Sequence, residues 1–245
     1  MPDQDFTGKV AIITGASRGI GRALTLALAE RGATVVASAR RLESSSGDGG
    51  TLAETVAAVK ALGARVLAAP AEIVTEQGPQ YIAQRAVKEF GRIDILINNA
   101  GAYPESAIVD QDFREWRDAL AINLTAPFLM CKAVIPHMIA QGSGNILNVS
   151  SGSSLAYSDG HVAYAAAKAG LNTFSQFLAE ELRGNGIAVN AWMPGLISTD
   201  MSGHKGEDPS AVVPSVMWAV AQTADTFTGQ AVRRREFGDV WGPKG

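Results

Sequence analysis

The chain has 245 residues, enough for one large α/β domain or two small ones. Hydrophobic residues make up 47% and charged residues 18%, a composition that buries a substantial core. The net charge of −3 argues against general nucleic-acid binding and against an anionic membrane surface as partner. One cysteine, Cys131, excludes an internal disulfide framework and a Cys-rich zinc site. His137, His161 and His204 are too widely spaced for a helical ligand pair, so no metal is expected. The polar start MPDQDFTGKV is unlike a signal peptide, and no run approaches about 20 apolar residues. A soluble cytoplasmic protein that spans no membrane is the expectation.

Short β-branched runs alternate with longer helical patterns. KVAIIT (9–14) reads as a buried strand and IGRALTLALAERG (20–32) as a helix closed by Gly32. ATVVASA (33–39) is a second strand, and ESSSGDGG (43–50) a loop. TLAETVAAVKALG (51–63) predicts a helix with Thr51 as N-cap and Glu54 completing a capping box. ARVLAAPA (64–71) is a strand, residues 75–91 a helix, and IDILINN (93–99) a strand. The stretch 112–140 is helical, with Pro127 expected at a kink or beside a break. GNILNVSS (144–151) is a strand, the segment around 160–183 a helix, and GIAVNAWMP (186–194) a strand. Residues 198–225 are mixed, and GQAVRRREF (229–237) reads as a last strand. Strict alternation predicts a doubly wound α/β fold: a mainly parallel seven-stranded sheet with helices on both faces. With no repeat and no dividing linker, residues 1–245 read as a single domain.

TGASRGIG (14–21) joins the first strand to the first helix, the context a dinucleotide site needs. Gly15, Gly19 and Gly21 let backbone approach a pyrophosphate at the helix N-terminus, with Ser17, Arg18 and Ile20 between them. The spacing is GxxxGxG rather than GxGxxG. An NAD site usually offers an acid at the end of the second strand. Here Ala39 is followed by Arg40 and Arg41, and guanidiniums suit a 2′-phosphate. NADP(H) is expected over NAD(H).

In HVAYAAAKAG (161–170), Tyr164 and Lys168 rise from one helix face a turn apart. Alone, they read first as an edge-of-core aromatic beside a solvated charge. An ammonium near a phenol also favours phenolate and suits it to proton transfer.

Taken in order, TGASRGIG, NNAG (98–101), Asn123 in AINLTAPF, NVSS ending at Ser151, YAAAK (164–168) and PGLIST (194–199) give a chain that resembles the short-chain dehydrogenase/reductase family of the classical type. Within it, the chain is similar to the 3-oxoacyl-(acyl-carrier-protein) reductases. The resemblance covers essentially the whole length, with Ser151 thirteen residues before Tyr164. It implies Tyr164 as proton donor to a carbonyl oxygen, and Lys168 as holder of the nicotinamide ribose and tuner of the phenol. It implies Ser151 as hydrogen-bond donor to substrate, and Asn123 as holder of a relay water. Asn99, Ala100 and Gly101 would line the cofactor cleft. Pro194, Gly195, Ile197 and Thr199 would cover the nicotinamide. Glu72 and Ile73, in AEIV, stand where the family usually has Asp-Val against the adenine. Residues 198–225 would supply a short lid. The substrate candidates are Tyr103, Ser151, Leu155, Tyr157, His161 and Trp192. The resemblance also suggests a homotetramer or homodimer through the helices at 112–140 and 160–183. Arg233, Arg234 and Arg235 are expected as surface charges, with an acidic partner as the weaker alternative.

The expected function is NADP(H)-dependent hydride transfer between nicotinamide and a carbonyl or secondary alcohol, with reduction favoured. The alternatives are a non-catalytic NADP(H)-binding sensor or scaffold, and a serine hydrolase built on Ser151 and His161.

Overall fold

A computed structural model describes residues 4–43, 50–156 and 159–244. Seven strands form one all-parallel sheet in the order β3-β2-β1-β4-β5-β6-β7. They are β1 (Val10–Thr14), β2 (Thr34–Ser38), β3 (Val66–Ala68), β4 (Ile95–Asn98), β5 (Gly144–Val149), β6 (Ile187–Met193) and β7 (Ala231–Arg233). The alternation of strand and helix is therefore resolved as the expected doubly wound sheet. The strand direction brings every C-terminal strand end to one edge. The order reverses between β1 and β4, and such a switch point opens a ligand crevice.

Helices α1 (Gly19–Glu30), α2 (Leu52–Ala61), α3 (Gln77–Phe90), α4 (Phe113–Leu120), α5 (Ala126–Gln141), α6 (Val162–Leu182) and α7 (Val213–Val220) cover the sheet. One core joins β1 and β2 to α1 and α7 through Ile13, Leu24, Leu28, Val35, Val216 and Met217. The other joins the sheet to α3, α5 and the end of α6 through Ile12, Ile82, Leu96, Met130, Val134 and Leu182. The buried strands carry almost uninterrupted β-branched and aliphatic residues, as a sheet covered on both faces requires. Thr51 caps α2 with a complete capping box to Glu54, as predicted.

Three elements differ from expectation. β3 spans only three residues, although the Ala69 and Ala71 amides continue to donate to the Ala37 and Ala39 carbonyls. The predicted break near Pro127 is a single π-helical turn, Ala121–Thr125, lying before the proline; Pro127 then sits in the first turn of α5. There its missing N–H costs little, while Pro136 is the proline inside the helix. The last strand ends at Arg233, and residues 234–236 turn away as a 3-10 turn.

The combined helical stretch Phe113–Gln141 is long and apolar enough to cross a membrane by length and composition, which the sequence reading did not anticipate. Its apolarity is partly explained by packing: Met130, Val134 and Met138 are completely buried in the core.

Candidate active site

The first functional element is the turn after β1. Gly15 and Gly19 have φ of +67° and +54°, backbone that favours glycine. A side chain on Gly21 would run into the Gly15 carbonyl. Helix α1 begins without a side-chain cap and without an acid in its first turn. Its leading amides are therefore left for an external anion, reinforced by the helix dipole. This cradle fits a dinucleotide pyrophosphate. Thr14 Oγ1 accepts from the amides of Asn99 and Ala100, and the Asn99 side chain donates to the Thr14 carbonyl at 2.9 Å. The NNAG segment is thus fastened to the glycine turn, and Gly101 lies against Asn123 Oδ1. Thr14 was not singled out in the sequence; its signal there is only a polar residue ending an apolar strand.

At the β2 end, Ala39 is half-buried and Arg40 exposed, and Glu72 is exposed just beyond the β3 ladder, followed by buried Ile73. Arg18 is already engaged, with Nη1 at 2.7 Å from Asp200 Oδ2. Asp200 also approaches His204 at 3.3 Å. Thr199 touches the glycine turn, its methyl 2.9 Å from where a Gly19 Cβ would sit. Asp200, absent from the sequence-stated candidates, bridges the two walls of the crevice.

β5 and α6 place the catalytic candidates. Tyr164 is buried near the start of α6 with the Ser151 side chain as a polar neighbour of its phenol. Burial raises its phenol above the ordinary value, the Ser151 side chain lowers it, and Tyr103 raises it. This corrects the expected tuning: in the protein itself desolvation dominates, so the phenol is a protonated donor at neutral pH. Lys168 is 4% exposed and donates to the Val149 carbonyl at 2.7 Å. Its ammonium lies 5.7 Å from the Tyr164 ring centroid, and burial pulls its pKa down to about 7. An ammonium has three protons, so Lys168 keeps capacity for further acceptors. Asn123 sits within the π-helical turn, where its side chain donates to the carbonyls of Ala102 and Ala119. Pro127 has no N–H to offer the Asn123 carbonyl four residues earlier.

The substrate candidates separate. Tyr103 stacks on His161 and meets Tyr164 edge to face, so these three converge. Leu155 is 56% exposed in the loop after Ser151. Trp192 is corrected: it is fully buried in the core from β6 and offers a substrate no surface. Tyr157 lies outside the described residues. The hydrolase arrangement is not formed, because His161 Nδ1 is directed at the Pro104 carbonyl, 3.3 Å away, and Ser151 Oγ accepts from the Ser153 amide rather than meeting His161.

The stretch 198–225, expected as a lid, is not one loop. Helix α7 belongs to the core, leaving residues 196–207 as the loop above the crevice. Its neck is tied by Ser198 to the Glu207 carbonyl and by Glu207 to the Leu196 carbonyl. Arg234 corrects the surface-charge expectation. Its side chain is 16% exposed, donates to the Pro194 carbonyl at 2.7 Å, and pairs with Glu207. Among the described residues no group of His, Cys, Asp and Glu is arranged to hold a metal. A separate cavity of about 180 Å³, lined by Asp5, Lys9, Asp94, Asn145 and Thr223, opens at the opposite edge of the sheet and holds none of these side chains.

Residues 9–210 match the family model described as short chain dehydrogenase. The chain belongs to this family. It is an oxidoreductase by that membership. Over 245 aligned residues it is 37% identical to a 3-oxoacyl-(acyl-carrier-protein) reductase of Vibrio cholerae, covering 93% of this chain and 96% of the relative. The Escherichia coli enzyme of the same name is 37% identical, over 84% of this chain and 81% of its own. Among solved structures, a metagenomic short-chain oxidoreductase in complex with NADP superposes with a TM-score of 0.82 at 31% identity, covering 94% and 98% of the two chains.

Proposed function

We propose that this short-chain dehydrogenase uses NADP(H) to interconvert a carbonyl compound and its secondary alcohol, with reduction the favoured direction. The observation that carries the reading is the buried Tyr164 phenol beside Lys168 and Ser151, at the crevice where the uncapped α1 terminus opens from the glycine turn. NADP(H) supplies the hydride when bound.

The residues that would hold it are Gly15, Ser17, Gly19, Ile20 and Gly21 at the pyrophosphate, with Arg18, Arg40 and Arg41 toward the 2′-phosphate. Glu72 and Ile73 lie toward the adenine, Asn99 to Gly101 line the cleft floor, and Pro194 to Thr199 cover it. Arg40 is exposed and suits a phosphate because its planar fork binds oxygen pairs. Tyr164 gives its phenolic proton to the carbonyl oxygen as negative charge develops there. Ser151 donates a hydrogen bond to the same oxygen and stabilises that charge. Lys168, held by the Val149 carbonyl, offers its remaining protons to ribose hydroxyls and returns a proton towards Tyr164. The Asn123 carbonyl, which Pro127 cannot engage, anchors a water leading from Lys168 to solvent. The NADP complex of the metagenomic relative supports the cofactor choice.

We take residues 1–245 to act as one domain, and the enzyme to be cytoplasmic. We take it to assemble as a homodimer or homotetramer through the outer faces of α4, α5 and α6, where Phe113, Phe128, Ile139 and Phe177 are exposed. Steady-state rates with NADPH and NADH on a carbonyl panel test the function, together with Ala39→Asp. That substitution adds a 2′-hydroxyl acceptor and repels a phosphate, so preference should move toward NADH. Tight NADPH binding with no turnover of any carbonyl would favour the sensor instead.

A further inference from the structure

Three rings from two elements meet at the mouth of the site. Tyr103 stacks on His161 with ring centroids 4.1 Å apart and planes inclined by 25°. It meets Tyr164 at 4.6 Å and 89°. His161 and Tyr164 lie three residues apart at the start of α6, so they share a helix face. Tyr103 comes from the loop after β4, and that loop is fastened on both sides of it. Asn123 donates to the Ala102 carbonyl at 2.8 Å, and His161 Nδ1 faces the Pro104 carbonyl at 3.3 Å. The Ser106 amide adds a bond to the Gly160 carbonyl at 2.8 Å. His161 is 7% exposed, while Tyr103 keeps part of its surface open. The ring beside the catalytic phenol is therefore held rigidly, with two backbone anchors, rather than left to swing.

Among the described residues, two exposed leucines flank these rings. Leu155 follows Ser151, and Leu196 follows the Pro194–Gly195 turn; these are 56% and 61% exposed. Their loops leave adjacent parallel strands, β5 and β6, at the same sheet edge. The charges next to Tyr103 and His161 in the chain are acidic, Glu105, whose side chain lies against Gly160, and Asp159, while the Lys168 ammonium, 5.7 Å from the Tyr164 ring, is held by the Val149 carbonyl. Glu105, exposed at this mouth, disfavours a carboxylate or an acidic carrier surface.

We propose that Tyr103, braced by His161, forms an aromatic wall that selects uncharged compounds whose carbonyl is attached to a flat ring. This rests on the carbonyl-reductase reading and names its substrate class. A flat ring meets an aromatic side chain in offset or edge-to-face geometry, and each such pair is worth between about 2-fold and 12-fold in binding. An aliphatic ring of the same size lacks that term and buries similar area.

The test compares acetophenone with cyclohexyl methyl ketone, and with a free 3-oxoacyl thioester, at saturating NADPH. The wild-type enzyme should favour acetophenone over the cyclohexyl ketone in kcat/KM by about tenfold, mostly through KM. Tyr103→Leu should bring that ratio close to one, and Tyr103→Phe should keep it. A binding measurement without turnover follows the same line. Titrating 1-phenylethanol and 1-cyclohexylethanol into the enzyme–NADPH complex should give the same preference and the same loss in Tyr103→Leu. Ketone reduction with a ratio near one, or a ratio indifferent to Tyr103→Leu, overturns the aromatic wall and leaves the reductase reading standing. A preference for the thioester over both ketones overturns it too. No reduction of any carbonyl compound overturns the reductase reading itself.

Discussion

Arg234 is the residue whose removal gives the most quantitative check on how the crevice is held. Arg234→Met keeps an unbranched stem but deletes the guanidinium. That removes the donor to the Pro194 carbonyl at 2.7 Å, a weaker contact to the Ala211 carbonyl at 3.5 Å, and the ion pair with Glu207. The two losses differ in size. Glu207 is 59% exposed, so the pair itself contributes at most about 1 kcal/mol. The hydrogen bond from a charged, largely buried donor contributes about 1.5–3 kcal/mol. Together they predict a loss of roughly 1.5–4 kcal/mol, or about 3–16 °C in Tm for a chain of this length. Glu207→Gln should lose no more than about 4 °C, because it removes only the pair. Differential scanning calorimetry measures both. The loosened Pro194–Gly195 turn should also weaken NADP(H) binding in Arg234→Met, read by fluorescence titration. A fall under about 2 °C in Arg234→Met, with unchanged cofactor affinity, would refute the reasoning. An equal loss in Glu207→Gln would show that the ion pair, not the bond to Pro194, holds the turn.

Asp200→Asn should tighten NADPH binding by up to about fivefold and leave NADH nearly unchanged, since it frees Arg18 from a half-exposed ion pair. Equal effects on both cofactors would show that Arg18 does not read the phosphate. Burial holds the Lys168 ammonium down at about 7, below its ordinary 10.5. Unfolding therefore takes up a proton between those values, so Lys168 adds stability as pH rises through that window and changes nothing further below it. The Tm difference between wild type and Lys168→Met should move in favour of wild type from pH 7 to pH 9.5; a pH-independent difference would contradict the buried-cation reading.

Much of the fold was legible because its signals are local. Apolar β-branched runs marked the strands, and Thr51 with Glu54 marked a helix start that the structure reproduces in detail. The glycine turn was legible because Gly15 and Gly19 adopt backbone that other residues avoid. What the sequence hid depends on tertiary neighbours. Trp192 stood in a motif-rich segment, but alternation along β6 says nothing about which face is core when both faces are covered. Arg234 looked like a surface charge because its partners, Pro194 and Glu207, lie 40 and 27 residues away in the chain. The direction of the Tyr164 shift was missed for a similar reason. A helical i,i+4 spacing reveals the Lys168 ammonium, but not the burial that raises the phenol. The π-helical turn before Pro127 carries no compositional mark, although a proline at the start of the next helix is consistent with it.

The central claim is that Tyr164 delivers the proton to a carbonyl oxygen within an NADP(H) crevice. Tyr164→Phe keeps the ring, its contact with Tyr103 and the helix, and removes only the hydroxyl. Single-turnover reduction of acetophenone by NADPH, with cofactor affinity measured in parallel, reads the two halves separately. Turnover should fall by at least about 100-fold, with NADPH affinity within about twofold of wild type. Turnover within a few-fold of wild type would contradict that claim.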